Sequence, residues 1–432
     1  MSPLRCLSIS LGCPKNRVDT ERLLGSLGLD IIPVEDVEDA EMVFINTCGF
    51  IRPAIEESLG TMAQAIADME DMKNRPLLVV AGCLVGRYHQ TVLGPEFPEV
   101  DLWLDNNVIE DWPELLSRKL GLPNPPRFSR FLSTGPSYAW LKISDGCRQS
   151  CAFCTIPQIR GKFHSHPKDM LVCEAEELLD KGVKELVLVA QDLTDWGEDI
   201  GEKHGLRTLL DGLLPLDGLE RLRLLYLYPS GITPELLKYL REAGAPFVPY
   251  FDVPVQHAHF DVLSRMGRPF ARDPRKIIDR IREYFPEAAL RTSLIVGFPG
   301  ETEEQYAELT RFVESVRFQH LGVFAYQAEE GTVAASMPNQ IDDAVKEWRR
   351  DALMEVQADI SAEWLQHFVG ERMPILVDAP QPDWPGLHVG RTWFQAPEID
   401  GITYVSGPKV KPGALVDAEI VESGDYDLTA LA

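Results

Sequence analysis

Short apolar runs separated by helix-like stretches fill the first third of the chain. Three runs are wholly or nearly apolar, as expected of buried parallel strands, and they are 7–11 (LSISL), 42–46 (MVFIN) and 77–81 (LLVVA). Residues 16–27 and 53–72 between them have helical patterns, and the second begins with a proline, which suits a first helical turn. With a strand at 102–105 and a last helix at 110–120, they predict a small α/β domain over residues 4–120.

The alternation is more regular in the middle of the chain. Six strand-like runs are separated by helical patterns such as 234–243, and the runs are 139–144, 185–190, 221–228, 248–253, 291–298 and 321–326. A closed barrel has eight such βα units, so six predict an open, partial (βα)6 TIM-like barrel over residues 133–363. Thr302 and Gln305 have the spacing of a capping box at the start of one helix. Sites in such folds lie at the carboxyl ends of the strands.

The last part of the chain has a different pattern. Residues 121–137, rich in proline, glycine and serine, predict a linker before the barrel. From about residue 366 onwards, short strand-like pieces are broken by proline and glycine. This pattern predicts a small β-barrel of about five strands over residues 366–432. The predicted fold class is therefore α/β, with a small all-β domain at the end.

Composition and targeting signals set the expected environment. With 45% hydrophobic and 25% charged residues, the chain has the composition of a globular protein. The N-terminus lacks the long apolar region of a signal peptide, and the longest apolar run, 77–86, is too short to span a bilayer. These features predict a cytoplasmic location, where thiols stay reduced. The eight cysteines are then metal ligands or core residues and not disulfides.

A loop after the first barrel strand carries the strongest chemical signal. Cys147, Cys151 and Cys154 form a C-x₃-C-x₂-C run. Three thiolates can hold an iron–sulfur cluster and leave one iron open for small-molecule chemistry. A structural zinc site, with His164 or His166 as fourth ligand, and paired disulfides are the alternatives.

A second group of cysteines is spread over the first domain. Cys13, Cys48 and Cys83 are each separated by 35 residues, and each follows a predicted strand. Because the carboxyl ends of parallel strands share one edge of a sheet, the three thiols can converge on one site. Adjacent glycines would permit the close backbone approach that a bulky cluster needs. The alternative is that all three are small buried residues at strand ends.

Other candidate residues give weaker signals. Cys6, inside a strand, and Cys173, on a helix, are interpreted as core residues. The turn at 297–301 (GFPGE) follows a strand and opens a helix, so its backbone N–H groups could face a ligand. Gln191 and Gln256 close two strands at the barrel mouth and could bind polar parts of a cofactor, although a satisfied amide is the favoured interpretation.

These motifs together resemble a known family. The cysteine loop on a partial βα barrel resembles the radical S-adenosylmethionine superfamily. The three N-terminal cysteines and a terminal β-barrel similar to a TRAM domain resemble its methylthiotransferases. Residues 12–21 (GCPKNRVDTE), 142–167 (KISDGCRQSCAFCTIPQIRGKFHSHP) and 328–332 (AEEGT) resemble the type that acts on a ribosomal protein, known as RimO. Residues 165–167 (SHP) depart from the more usual serine–arginine–proline.

The resemblance implies two 4Fe–4S clusters and S-adenosyl-L-methionine. The implied ligands are Cys147, Cys151 and Cys154 for the cluster that binds S-adenosylmethionine, and Cys13, Cys48 and Cys83 for the cluster that carries the sulfur. Reductive cleavage of the cofactor would give a 5′-deoxyadenosyl radical that removes hydrogen from an unactivated carbon. The implied acceptor is the β-carbon of an aspartate in the twelfth protein of the small ribosomal subunit. The resemblance names no further catalytic side chain.

Charge helps to choose between possible partners. The chain carries 42 Lys+Arg against 67 Asp+Glu, a net charge of −25, which repels phosphate backbones, although solubility alone also explains acidic enzymes. Residues 366–432 contain ten acidic and four basic residues, a net charge of −6. An RNA-binding domain should be basic. The acidic terminal domain therefore favours a basic ribosomal protein as the substrate over the tRNA substrate of related enzymes.

The remaining expectations concern partners and a second class of function. The implied partners are the ribosomal protein and an electron donor such as a flavodoxin or ferredoxin, with no membrane and with nucleic acid not the primary substrate. A non-catalytic iron–sulfur carrier would also explain six cysteines. It would not explain a six-unit barrel with the cysteine loop at its mouth.

Overall fold

A computed structural model describes residues 3–122, 129–268 and 273–432, so positions 123–128 of the predicted linker lie outside the described residues. The chain forms two compact units. The first comprises the described parts of Met1–Ser133 with Asp145–Arg148 and Cys154–His164. The second comprises Thr134–Ser144, Gln149–Phe153 and the described parts of Ser165–Ala432. Among the described residues, no helix combines the length and apolar composition needed to cross a bilayer.

The first unit is built around a parallel five-stranded sheet. Its strands are β1 (Leu4–Ser10), β2 (Ile31–Pro33), β3 (Met42–Thr47), β4 (Leu77–Gly82) and β5 (Leu102–Asp105), in the order β2-β1-β3-β4-β5. Its helices are α1 (Pro14–Ser26), α2 (Arg52–Met69), α3 (Cys83–Tyr88), α4 (Gln90–Leu93), α5 (Trp112–Lys119) and α6 (Ile156–Ile159). The predicted α/β pattern is therefore present. The short edge strand β2 was not predicted, because only three residues pair and they are at least partly exposed.

Alternating residues of β3 show how this sheet is buried on both faces. Phe44 packs with α1 and α5 on one face, and Ile45 packs with α2 and α3 on the other. Every residue of β3 is buried. This burial explains why the strand reads as a continuous apolar run.

The second unit contains the predicted open barrel. Six parallel strands follow one another across the sheet: β6 (Tyr138–Lys142), β9 (Glu185–Val189), β10 (Arg221–Leu224), β11 (Phe247–Asp252), β12 (Ala289–Val296) and β13 (His320–Ala325). The short strands β7 (Ser144–Asp145) and β8 (His164–Ser165) form a separate two-stranded sheet. The helices of this region are α7 (Lys168–Asp180), α8 (Leu206–Leu213), α9 (Pro234–Ala243), α10 (Phe260–Arg265), α11 (Pro274–Tyr284), α12 (Glu303–Val316) and α13 (Asp343–Gln366).

Local sequence signals predicted the start of one helix correctly and the end of one strand wrongly. Thr302 and Gln305 form the predicted capping box at the start of α12. The strand predicted over 221–228 is too long, because β10 ends at Leu224. Tyr226 has a left-handed backbone (φ 60°), and its N–H donates to Asp252 Oδ2 at 3.0 Å, so the chain turns there.

A closed five-stranded β-barrel follows α13, as predicted. Its strands are β14 (Arg372–Pro380), β15 (Leu387–Arg391), β16 (Thr403–Ser406), β17 (Leu415–Ser423) and β18 (Leu428–Leu431), in the order β14-β15-β16-β18-β17. The loop between β15 and β16 packs against the open sheet. Tyr250 of β11 donates to Asp400 Oδ2 at 2.7 Å, and His320 of β13 lies 2.7 Å from the carbonyl of Phe394.

A buried ion-pair cluster joins the β-barrel to the amino end of β9. Glu185 accepts from Arg223 Nε at 2.6 Å and from Arg391 Nη1 at 2.7 Å, and Arg391 also pairs with Asp378. Burial alone would raise the pKa of Glu185, but the guanidinium groups of Arg223 and Arg391 lower it to about 2. Since an unfolded carboxyl has a pKa of 4.5, this stabilisation is complete above that pH and is lost as the pH falls towards 2.

The variant Glu185→Gln should lower the free energy of unfolding by about 3–5 kcal/mol, because it leaves the buried guanidinium of Arg223 without its charge partner and removes one of the two carboxylates that pair with Arg391. Urea unfolding at neutral pH measures this loss. The control is Glu220→Gln, which makes the same change at an exposed position one residue before β10. Equal unfolding midpoints for the two variants would show that the cluster contributes little.

Candidate functional site

The three N-terminal cysteines lie at the carboxyl ends of neighbouring strands. Cys13 caps α1 after β1, Cys48 follows the last residue of β3, and Cys83 is the first residue of α3 after β4. The order β1-β3-β4 places these three ends side by side at one edge of the sheet. The structure therefore brings together the loops that sequence reasoning grouped, although Cys13 lies one residue further from its strand than expected, because β1 ends at Ser10.

Glycines allow the three loops to approach closely. A Cβ atom added to Gly12 (φ +87°) would lie 2.8 Å from both Cβ and Sγ of Cys48. A Cβ at Gly49 would lie 2.8 Å from the carbonyl oxygen of Cys83. Real side chains do not tolerate such distances, so both positions require glycine. The loops that carry the three cysteines are therefore tightly packed against one another.

The thiols of this trio differ in acidity. Burial raises the pKa of the Cys48 thiol to about 12, and burial also raises the pKa of Cys83. Burial opposes ionisation of Cys13 as well, but Lys15 and Arg160 lower the pKa of its thiol. Because metals bind thiolates, loading such a site releases protons, and nearby positive charge favours the metal-bound form.

Side-chain amides and a hydroxyl surround the trio. Asn106 Nδ2 donates to Cys83 Sγ at 3.4 Å, and the Cys83 thiol lies 3.5 Å from Asn16 Oδ1. Ser58 accepts from the backbone N–H of Cys48 at 3.0 Å and donates to its carbonyl at 2.8 Å. Sequence reasoning missed these residues. Asn16 lies in the quoted run 12–21, where its nearness to Cys13 was the available signal.

The cysteine loop is divided between the two compact units. Cys147 and Cys154 belong to the first and Cys151 to the second, and all three are partly exposed. Within the second unit, Arg268 Nη1 lies 3.6 Å from Cys151 Sγ. The backbone of Ala152 is held on both sides, because its N–H donates to Met266 and its carbonyl accepts from Ala334. Cys151 is thus presented by a well-anchored turn.

No group of three or more His, Cys, Asp or Glu side chains in the described parts of the chain is placed to hold a single metal ion. His164, one possible fourth zinc ligand, has a half-exposed side chain 3.9 Å from Glu110 Oε1. Cluster ligands each bind a different iron, so they need not point at one atom. Metal binding by either trio remains a prediction.

Polar side chains lie at the carboxyl edge of the open sheet, and one of them contacts Gln149 of the cysteine loop. Both amide atoms of Gln191, which follows β9, are buried and have no hydrogen-bond partner among the described residues. Gln149 donates to Asp192 at 3.2 Å. The expectation of a satisfied amide is therefore wrong for Gln191. A buried amide without partners is costly, and a polar ligand would satisfy it.

Two other interpretations of single motifs were wrong. The N–H groups of Gly297 and Phe298 in the GFPGE turn donate to the carboxylate of Glu301, at 2.8 and 3.4 Å, so they do not face a ligand. Cys173 is exposed, because the buried face of α7 is formed by residues such as Leu171 and Leu178. Cys6, by contrast, is a core residue, as predicted.

The sequence matches three described protein families. Residues 141–313 match the Radical SAM superfamily, and residues 369–432 match the TRAM domain. Residues 5–105 match the uncharacterized protein family UPF0004. Among solved structures, the radical S-adenosylmethionine methyltransferase TsrM from Kitasatospora setae superimposes with a TM-score of 0.56. The superposition covers 90% of this chain and 81% of the TsrM chain, with 15% sequence identity, so it supports only the fold.

Curated relatives narrow the class to one family. A protein of Nitratidesulfovibrio vulgaris, named ribosomal protein uS12 methylthiotransferase RimO, is 67% identical over 98% of this chain and 99% of its own length. A protein of the same name from Lawsonia intracellularis is 59% identical over 99% of this chain and 98% of its own length. Another from Aquifex aeolicus is 41% identical over 97% of this chain and 95% of its own length. The chain belongs to the RimO family of radical S-adenosylmethionine methylthiotransferases. Membership implies a 4Fe–4S cluster and S-adenosylmethionine.

Proposed function

We propose that this protein adds a methylthio group to ribosomal protein uS12, at the β-carbon of an aspartate. The observation that carries the proposal is the convergence of Cys13, Cys48 and Cys83 at one sheet edge, in addition to the cysteine loop. A second metal site is what an enzyme needs if it must supply sulfur as well as break a C–H bond. The full-length relatives named for this activity support the choice of acceptor.

Two cysteine trios would hold the two clusters. Cys147, Cys151 and Cys154 would bind the cluster that leaves one iron free for S-adenosylmethionine, and Cys13, Cys48 and Cys83 would bind the second. When bound, these groups supply one-electron chemistry and a sulfur atom, neither of which an amino-acid side chain provides. The residues present suit this use, because none of these six cysteines is tied up in a disulfide and the Cys83 sulfur already accepts a hydrogen bond.

The chain's own side chains would position the reactants. Arg268 lies against Cys151 and is itself fixed, because its Nη2 donates to Pro254 at 2.7 Å and its guanidinium lies over the ring of Tyr228 at 4.4 Å. From this fixed position the guanidinium can donate a hydrogen bond to the Cys151 sulfur. The unpartnered amide of Gln191 would hydrogen-bond a polar group of the cofactor or of the acceptor peptide.

The acidic residues of the terminal β-barrel fall into two sets. Five make contacts with neighbouring groups, although Glu398 and Asp417 among them are exposed, and the five are Asp378, Glu398, Asp400, Asp417 and Asp427. The other five are exposed, and they are Glu371, Asp383, Glu419, Glu422 and Asp425. The exposed set gives this barrel a negative surface that suits a basic ribosomal protein. An electron donor such as a flavodoxin or ferredoxin and a cytoplasmic location remain parts of the proposal.

An anaerobic reaction tests the function. The reconstituted protein is mixed with S-adenosylmethionine, a chemical reductant, a sulfide source and purified uS12. The proposal expects 5′-deoxyadenosine and a uS12 product whose mass increases by one methylthio group in place of one hydrogen. A product on tRNA with none on uS12 would favour the tRNA enzyme. Iron without any 5′-deoxyadenosine would favour a cluster carrier.

The triple variant Glu419→Gln, Glu422→Gln and Asp425→Asn should weaken binding of uS12 about tenfold at low ionic strength, with the difference shrinking as salt is added. Titration calorimetry over a range of salt concentrations measures this effect. The control removes three exposed acids from the helices around the open sheet: Glu235→Gln, Glu283→Gln and Glu314→Gln. An equal loss in both triple variants would mean that only net charge matters, and a loss independent of salt would contradict the surface role.

A further inference from the structure

One guanidinium is buried within the first unit beside the N-terminal cysteines. Arg160 follows the short helix α6, and its side chain is only 2% exposed. Its Nη2 donates to Asn16 Oδ1 at 2.6 Å and lies 3.1 Å from Asp19 Oδ2, and its Nη1 donates to Asp145 Oδ1 at 2.7 Å. Such a guanidinium, with several partners on both terminal nitrogens, is held in one place.

The charge of this group lies close to the Cys83 sulfur. Arg160 Nη2 and the Cys83 thiol share Asn16 Oδ1, at 2.6 and 3.5 Å from that oxygen. A guanidinium is not deprotonated in proteins, and the carboxylates of Asp19 and Asp145 on its two terminal nitrogens stabilise its charge. A buried charge is poorly screened by solvent, and its influence at the sulfur atoms is correspondingly strong.

Asn16 links Arg160 to Cys83 in a fixed orientation. Asn16 is fully buried, and its Nδ2 donates to the carbonyls of Leu11 and Thr47 at 2.9 and 3.0 Å. These two bonds assign the amide, so that Oδ1 must face Arg160 and the Cys83 thiol. A displacement of the guanidinium would therefore be transmitted to the Cys83 site.

We propose that Arg160 is a positioning residue whose buried positive charge raises the reduction potential of the cluster held by Cys13, Cys48 and Cys83. The inference rests on the proposed function, since it assumes that this trio holds a cluster. Reduction adds negative charge to the cluster, and a fixed nearby cation stabilises the reduced form. Asp19, on the same guanidinium, has the opposite effect. Arg160 therefore offsets the negative charge of the Asp19 and Asp145 carboxylates that it contacts.

The test measures the midpoint potential of the N-terminal cluster by an anaerobic redox titration followed by electron paramagnetic resonance. A Cys151→Ala parent is used so that only this cluster contributes to the signal. Arg160→Met should shift the potential to more negative values, and Asp19→Asn should shift it to more positive values. Arg160→Lys keeps the charge but not the fork of donors, so its shift should be smaller than that of Arg160→Met.

The matched control is Arg52→Met, which removes one positive charge from an 80% exposed side chain of the same unit and should leave the potential unchanged. An unchanged potential in Arg160→Met with full iron content would overturn the inference. If Arg160→Met loses its iron, Arg160→Lys decides: retained iron with a potential near that of the parent supports the charge role, and loss of iron there too overturns it. A parent without iron would instead contradict the proposed function.

Discussion

Replacing Cys151 with alanine is expected to abolish reductive cleavage of S-adenosylmethionine, with a loss of 5′-deoxyadenosine formation of at least about a thousandfold, because two remaining thiolates cannot hold the loop cluster. Iron should fall from roughly eight to about four per chain, since the N-terminal cluster survives. Iron analysis and chromatography of the cleavage product measure the two effects on one preparation.

Cys173→Ala is the matched control for this variant, because Cys173 is an exposed free cysteine on α7 of the same unit. It should keep both the iron and the cleavage activity. If Cys151→Ala retained the iron content of the wild type, the loop would not be the cluster site. Equal losses in both variants would point to oxidative damage during preparation.

Replacing Cys48 with alanine should stop methylthiolation of uS12 without stopping cleavage of S-adenosylmethionine. Cleavage of S-adenosylmethionine should continue, because Cys147, Cys151 and Cys154 are intact, whereas methylthiolated uS12 should fall below detection. Removing this thiol leaves two ligands at the sheet edge, with the Ser58 hydroxyl still bound to the backbone at residue 48. Quantifying 5′-deoxyadenosine and methylthiolated product in the same reaction shows whether cofactor cleavage continues without methylthio transfer.

Cys6→Ala serves as the control for the Cys48 variant, since Cys6 is a buried cysteine of β1 in the same unit and packs in the hydrophobic core. It should cost some stability and leave iron content and product formation intact. A Cys48→Ala protein that still produced methylthiolated uS12 would contradict a sulfur-carrying role for the N-terminal trio. Loss of cofactor cleavage as well would show that the two sites are not independent.

Residues whose neighbours are fixed by strand topology could be placed from the sequence. Cys13, Cys48 and Cys83 each follow a parallel strand, so the shared carboxyl edge of such a sheet was enough to predict that their loops lie side by side. The capping box at Thr302 was equally predictable, because both of its hydrogen bonds are made within four residues. The terminal β-barrel was recognisable from its broken, short strands.

Contacts between distant segments could not be predicted in this way. Arg160 and Asp19 are far apart in sequence, and the helical pattern over 16–27 does not show which distant residue Asp19 contacts. The orientation of α7, which exposes Cys173, depends on which face packs against the sheet. The GFPGE turn has the composition of a ligand-binding loop, but a carboxylate from its own last residue occupies the N–H groups. Each outcome depends on tertiary packing that local patterns do not encode.

The central claim is that the two cysteine trios together allow methylthiolation of uS12. Tandem mass spectrometry of uS12, isolated from cells with and without the gene for this protein, tests it most directly. The account predicts one methylthio group on a single aspartate when the gene is present and an unmodified residue when it is deleted. Unmodified uS12 in both strains, or a methylthio group that persists after deletion, would contradict it.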